Sequence, residues 1–279
     1  MYTVGWFSTA RGPTSRALLR AAWEAMQQGD IPAQVGFVFC NREPGESEET
    51  DQFLEQVKNY GIPLITLSFA RFRREHGGKG VGRDGAAFAP WREAYDQEVL
   101  RLLQSHQPDL AVLAGFMLVM TPALCRHFTT INLHPAAPGG PAGTWQEVIW
   151  ELIAQQAGHS GVRMHLVTPD LDQGPNVSYC TYSLRGPELE QRLWEEAART
   201  SVEKLKALHG EEYPLLRQIR QEGVTRELPL LLATIKAFSE GHVRVKDGQP
   251  VDRTGKIIEG YDLTEEIEKA LHQKTDGGA

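Results

Sequence analysis

Cysteine is scarce in this chain: three among 279 residues, Cys40, Cys125 and Cys180, an odd number set far apart. That spacing argues against a disulfide framework and against a zinc site built on cysteine pairs, and points to reduced thiols with no metal ligation. Long apolar runs are missing too, since no stretch of about 18 apolar residues occurs and nothing reads as a membrane-spanning helix. The opening residues, Met1 to Phe7, lack a basic stretch followed by an apolar one. No secretory signal is read there, and the cytoplasm is the expected compartment. Positive charge is outnumbered, 29 basic against 36 acidic residues for a net charge of −7. No basic run is dense enough for a nucleic-acid surface. There is no internal repeat and no low-complexity linker. The expected partners are therefore small molecules, neither nucleic acid nor membrane; a homodimer is left open.

What is present is a βαβ rhythm. Residues 3–7 read as a short apolar strand, followed by a glycine-containing loop and a helix with Leu18, Leu19, Ala22 and Met26 on one face. A strand over 35–40, a helix over 47–60 and a strand over 64–68 follow, then a helix over 91–106 and a strand over 110–114. Mostly apolar strands alternating with helices predict a parallel sheet. Helices are expected over 145–156 and 187–208, strands over 161–167 and 176–184, two helical stretches beginning near 212 and 228, and a short helix over 264–272. Residues 241–250 read as a hairpin with Asp247 and Gly248 at its turn. The fold class is α/β, a doubly wound, mostly parallel sheet with a carboxyl-terminal helical and hairpin extension, divided into residues 1–208 and 209–279.

The most informative stretch is Thr130 to Pro135. Side chains alternate along a strand, so Asn132 and His134 point to the same side at its carboxyl end, where Pro135 stops further pairing. Downstream, Asp172 sits in a tight turn closed by Gly174 and Pro175, after an apolar strand that carries His165. An amide, an imidazole and a carboxylate together make a plausible site. Capped strand ends in a domain that does no chemistry are the plainer alternative, and a lone strand histidine such as His165 is usually a satisfied structural one.

Three segments carry a resemblance: Asn132, Leu133, His134 and Pro135; the upstream Leu113 to Met117; and the downstream Met164 to Pro175. Their order and spacing resemble the folate-dependent formyltransferases, most nearly the branch acting on glycinamide ribonucleotide. The resemblance implies a Rossmann-like fold and transfer of a formyl group from 10-formyltetrahydrofolate to a primary amine, glycinamide ribonucleotide in purine biosynthesis being the leading acceptor. Asn132 and a protonated His134 are then the oxyanion donors, with Asp172 orienting the imidazole and accepting a proton. It also implies that Arg92 reaches the folate carboxylate, that Met117, Leu118, Val119 and Met120 line the folate slot, and that His165 lies beside it. Gly12, Thr14, Ser15 and Arg16 stand where relatives hold the substrate phosphate, although Pro13 removes one backbone donor there. The bland reading of that loop is a capped helix with proline at its first position.

Other readings stay open. The basic, glycine-rich residues 71–83 are either a solvated loop or a lid over an anionic ligand. The acceptor is alternatively a nucleotide amino sugar. The protein is alternatively a folate-binding protein without transfer activity, or a hydrolase that deformylates the same cofactor.

Overall fold

Two compact units make up the chain, Met1–Asn132 with Leu166–Gly174, and Leu133–His165 with Pro175–Ala279. The computed structural model describes residues 1–78, 89–185 and 191–276. The boundary expected at residue 208 falls inside the second unit.

In the first unit, β1 (Tyr2–Ser8), β2 (Ala33–Cys40), β3 (Leu64–Thr66), β4 (Leu110–Leu113) and β5 (Thr130–His134) pair in parallel, in the order β3, β2, β1, β4, β5. Phe7 lies beside Leu113, and Leu113 beside Asn132, so these strands end along one edge. Phe7, Phe37, Phe39 and Leu113 face one cluster with α4 (Pro90–Leu102) and α5 (Pro122–His127). The alternate residues Val4, Trp6, Val38 and Val112 are equally buried, so both faces of the sheet are covered, as a parallel sheet requires.

α1 (Pro13–Gln27) starts with proline at its first turn and buries Ser15, Leu19, Ala22 and Met26. Ser47 caps α2 (Glu48–Asn59), its hydroxyl accepting from the Thr50 N–H. The segment expected to begin a basic loop is instead α3 (Phe69–Glu75) over its first part; residues 79–83 of that expectation lie outside the described residues. Phe69 and Phe72 drive this helix by packing edge-on to Tyr95.

In the second unit β6 (His159–Leu166) pairs antiparallel with β7 (Asn176–Ser183), and β10 (Tyr261–Asp262) runs parallel to β7. α6 (Trp145–Ala154) begins with a Thr144–Glu147 capping box. The helix expected over 187–208 is two, α7 (Gln191–Arg199) and α8 (Val202–His209), because Ser201 caps a new start; residues 187–190 lie outside the described residues. Conversely, the two stretches expected after 212 are one helix, α9 (Pro214–Ser239), running through Pro229. An interior proline costs about 3 kcal/mol. Burying Leu230, Leu231, Ile235 and Phe238 on the same stripe offsets that several times over, at roughly 1.5–3 kcal/mol each. The hairpin β8 (Val243–Lys246) and β9 (Gln249–Asp252) turns at Asp247 and Gly248, both at positive φ, and α10 (Thr264–Asp276) follows.

Candidate active site

β5 delivers Asn132 half-buried and His134 almost wholly buried, two residues apart at its end. Beyond it the chain curls through Gly139 and Gly143, both at positive φ, so that the Pro141 carbonyl lies 3.0 Å from His134 Nε2. A carbonyl only accepts, so this contact is a hydrogen bond in the states of His134 that carry the proton on Nε2. The His165 ring stands edge-on to His134, with centroids 6.2 Å apart. His165 sits at a register shift of β6, between Met164 and His165, and such a bulge re-aims a side chain. Arg163, also buried, donates to the Ala137 carbonyl and steadies the same curl.

Asp172 comes from the loop that follows β6. Val167 N–H donates to the Thr130 carbonyl at 2.8 Å, tying this loop to the strand that carries Asn132. Gly174 closes it: a Cβ there would lie 1.7 Å from the Leu166 carbonyl oxygen. Within this closed loop Asp172 adopts φ of +57°, the left-handed region, in which aspartate is among the few side chains found. Strained backbone of this kind concentrates at functional sites and costs on the order of 1–3 kcal/mol.

The turn after β4 is held from two sides. Thr9 N–H donates to the Gly115 carbonyl at 3.1 Å and the Thr9 hydroxyl accepts from Met117 N–H at 2.8 Å. From α4, Arg92 Nη2 donates to the Val119 carbonyl at 2.6 Å while Arg92 Nη1 pairs with Asp96. Met117 is 51% exposed and Leu118 and Val119 are half-buried, whereas Met120 belongs to the core at 1%. Of the residues expected to line a slot, three remain open to a ligand and Met120 is packed away.

The β1 loop differs more from expectation. Gly12 is extended and caps α1, and Thr14 is exposed. Ser15, however, lies on the buried stripe of α1, and Arg16 is committed to Glu49. The helical period explains Ser15, which falls four residues before Leu19. Sequence reading also passed over Asp96, although an aspartate four residues after an arginine on a helix is a pairing signal. Gly174 was read only as part of a turn; its close approach to Leu166 had no local signature.

A mostly parallel sheet with both faces covered, as in the first unit, is of the doubly wound α/β class. The chain belongs to the formyl transferase family, whose pattern matches residues 13–183. It is 30% identical over 163 residues to a phosphoribosylglycinamide formyltransferase of Escherichia coli, covering 57% of this chain and 64% of that one. A Mycobacterium tuberculosis protein of the same name is 29% identical over 170 residues, covering 60% and 65%. The aligned stretches thus span just under two thirds of these two relatives. Among solved structures, glycinamide ribonucleotide transformylase 1 from Symbiobacterium toebii superposes with a TM-score of 0.60 at 19% identity, over 92% of this chain and 94% of that one, which shows the shared fold.

Proposed function

We propose that this protein transfers the formyl group of 10-formyltetrahydrofolate to a primary amine, with glycinamide ribonucleotide of purine biosynthesis as the acceptor. The observation that carries the reading is the closed loop that holds Asp172 in a strained conformation and is tied to the strand bearing Asn132. Family membership and the two curated relatives support the same reaction.

In this reading the amine nitrogen attacks the formyl carbon, and the carbonyl electron pair moves onto oxygen. The Asn132 amide and the His134 imidazolium donate to that oxyanion, stabilisation worth about 3–4 kcal/mol per donor in comparable sites. Asp172 takes the proton the amine loses, directly or through water. The oxyanion then collapses, the bond to the folate nitrogen breaks with its electrons going to that nitrogen, which is protonated, and the formamide and tetrahydrofolate leave. Met117, Leu118 and Val119 supply the apolar wall for the folate ring, and the exposure of Met117 fits that task. Arg92, expected to reach the folate carboxylate, is buried and engaged with Asp96 and the Val119 carbonyl, and in this reading it serves the slot through the turn it holds. His165 packs against His134 and restrains its ring. Gly12 and Thr14 stand at the acceptor side.

The direct test supplies purified protein with 10-formyltetrahydrofolate and follows tetrahydrofolate and the formylated product by mass spectrometry. Product with glycinamide ribonucleotide is expected. Product only with an amino sugar would replace the acceptor, and formate without amine would replace the reaction by hydrolysis.

A further inference from the structure

We propose that Arg163, in the middle of β6, is a positioning residue that sets the His134 imidazole by anchoring the curl that follows β5. Its role in the reaction rests on the transfer reading above; its effect on the ring does not. The residues concerned, Leu133 to Pro141 and Gly161 to His165, all lie in the second unit. Arg163 is buried, and its strand neighbours Val162 and Met164 are wholly so, which means that β6 carries a guanidinium into the interior. The steps of the proposed reaction give that guanidinium no task.

Contacts from alternate residues of β6 hold the curl and the ring. Alternate residues of a strand share a face, so Gly161, Arg163 and His165 form one row. At Gly161 the curl lies against the backbone: a Cβ there would stand 3.1 Å from the Ala137 Cβ and 3.2 Å from its Cα. At Arg163 the guanidinium Nη1 donates to the Ala137 carbonyl at 3.3 Å. At His165 the ring stands edge-on to His134. The first two contacts fix where the curl starts, and the third limits how far the imidazole can swing.

The curl transmits this anchor to His134. The Ala137 carbonyl also accepts the Gly140 N–H at 2.9 Å, closing a turn whose central residues are Pro138 and Gly139. Gly139 has φ of +74°, and proline followed by glycine at positive φ is the pair a type II turn prefers. The residue after the turn, Pro141, places its carbonyl 3.0 Å from His134 Nε2. The rings of Pro138 and Pro141 fix φ at both, so the Pro141 carbonyl follows the Ala137 carbonyl when the turn shifts. An arginine suits this anchor better than a lysine, because its planar fork holds one direction and an ammonium on a flexible stem does not. The aim of the imidazole therefore depends on the anchor, and misplacing a catalytic donor by about 1 Å costs on the order of a hundredfold in rate.

Nuclear magnetic resonance of protein labelled at the histidine nitrogens reads the anchor without turnover, the His134 signal being assigned by its loss in His134→Ala. Arg163→Met is expected to shift or broaden that signal while those of the exposed His76 and His209 stay in place. Arg163→Lys, which keeps a donor, should return it part of the way. An unmoved His134 signal in Arg163→Met overturns the proposal. Pro138→Ala loosens the same turn without touching β6, so it tests the route even where Arg163→Met fails to fold; no shift there overturns it. In steady-state kinetics Arg163→Met should lower kcat about ten- to a hundredfold with KM for both substrates within about threefold, because the ring serves the oxyanion and not the bound substrates. A raised KM at unchanged kcat overturns the role in the reaction. In the His134→Ala background the same substitution should cost less than about threefold, since a residue acting through the ring has nothing further to lose. An undiminished loss there would mark a general structural effect and overturn the proposal. A His134 signal that moves as expected in a protein with no turnover on any amine would remove the transfer reading and leave the anchor standing.

Discussion

Arg92 and Asp96, one turn apart on α4, clamp the two peptide groups that flank Met120: Arg92 donates to the Val119 carbonyl at 2.6 Å and Asp96 accepts from the Thr121 N–H at 2.8 Å. Their side chains are 8% and 1% exposed, so the ion pair between them is desolvated and each charge depends on the other. This arrangement converts a helix into a fixed support for the β4 turn.

Asp96→Ala should therefore destabilise the protein by about 3–5 kcal/mol, the cost of leaving a buried guanidinium without its counter-charge. Denaturant unfolding measures it. Replacing both residues together, Arg92→Met with Asp96→Leu, should cost less than Asp96→Ala alone. A double variant weaker than the single one would show that the backbone bonds, not the charges, dominate.

Gly174→Ala places a methyl group against the Leu166 carbonyl, where backbone would have to move. The loop carrying Asp172 should be displaced, with turnover falling at least tenfold while far-ultraviolet circular dichroism of the two units is retained. Unchanged turnover would mean that the closed form of the loop is not needed.

Burial pushes the Cys40 thiol from its ordinary value of 9.0 up to about 12, and Cys125 and Cys180 up to about 11. A raised value means less thiolate, so at pH 8 alkylation of the folded chain should be far slower than of a free thiol, with all three sites reacting in denaturant. The unfolded chain loses these protons first, so stability present below about pH 9 should decline as pH climbs towards 12. Rapid labelling of native Cys40 would contradict its place in the core.

Much of this was written locally in the sequence. The strands of the first unit announced themselves because both faces are buried and the runs are apolar throughout, as in residues 35–40. The hairpin at Asp247 and Gly248 was legible because its turn chemistry is local. α3 was hidden because Arg71, Arg73 and Arg74 mask the Phe69 and Phe72 stripe, which gains meaning only once Tyr95 is beside it. The single α9 was hidden by Pro229, whose local cost is outweighed by burial that no window of sequence displays. Asn132, His134 and Asp172, the proposed catalytic groups, stand out by residue type and order. The left-handed backbone of Ala10 and Asp172 and the inward turn of Ser15 depend on tertiary neighbours, and residue type alone does not reveal them.

If Asp172 moves the proton in a formyl transfer, Asp172→Asn should lose turnover while folate binding survives. The variant keeps the shape and the tolerance for positive φ while losing the basic carboxylate. Amine-dependent formation of tetrahydrofolate from 10-formyltetrahydrofolate, measured alongside calorimetric binding of a folate analogue, should show turnover reduced at least a hundredfold with folate affinity within about threefold of wild type. Wild-type turnover in Asp172→Asn would exclude the carboxylate as the proton acceptor.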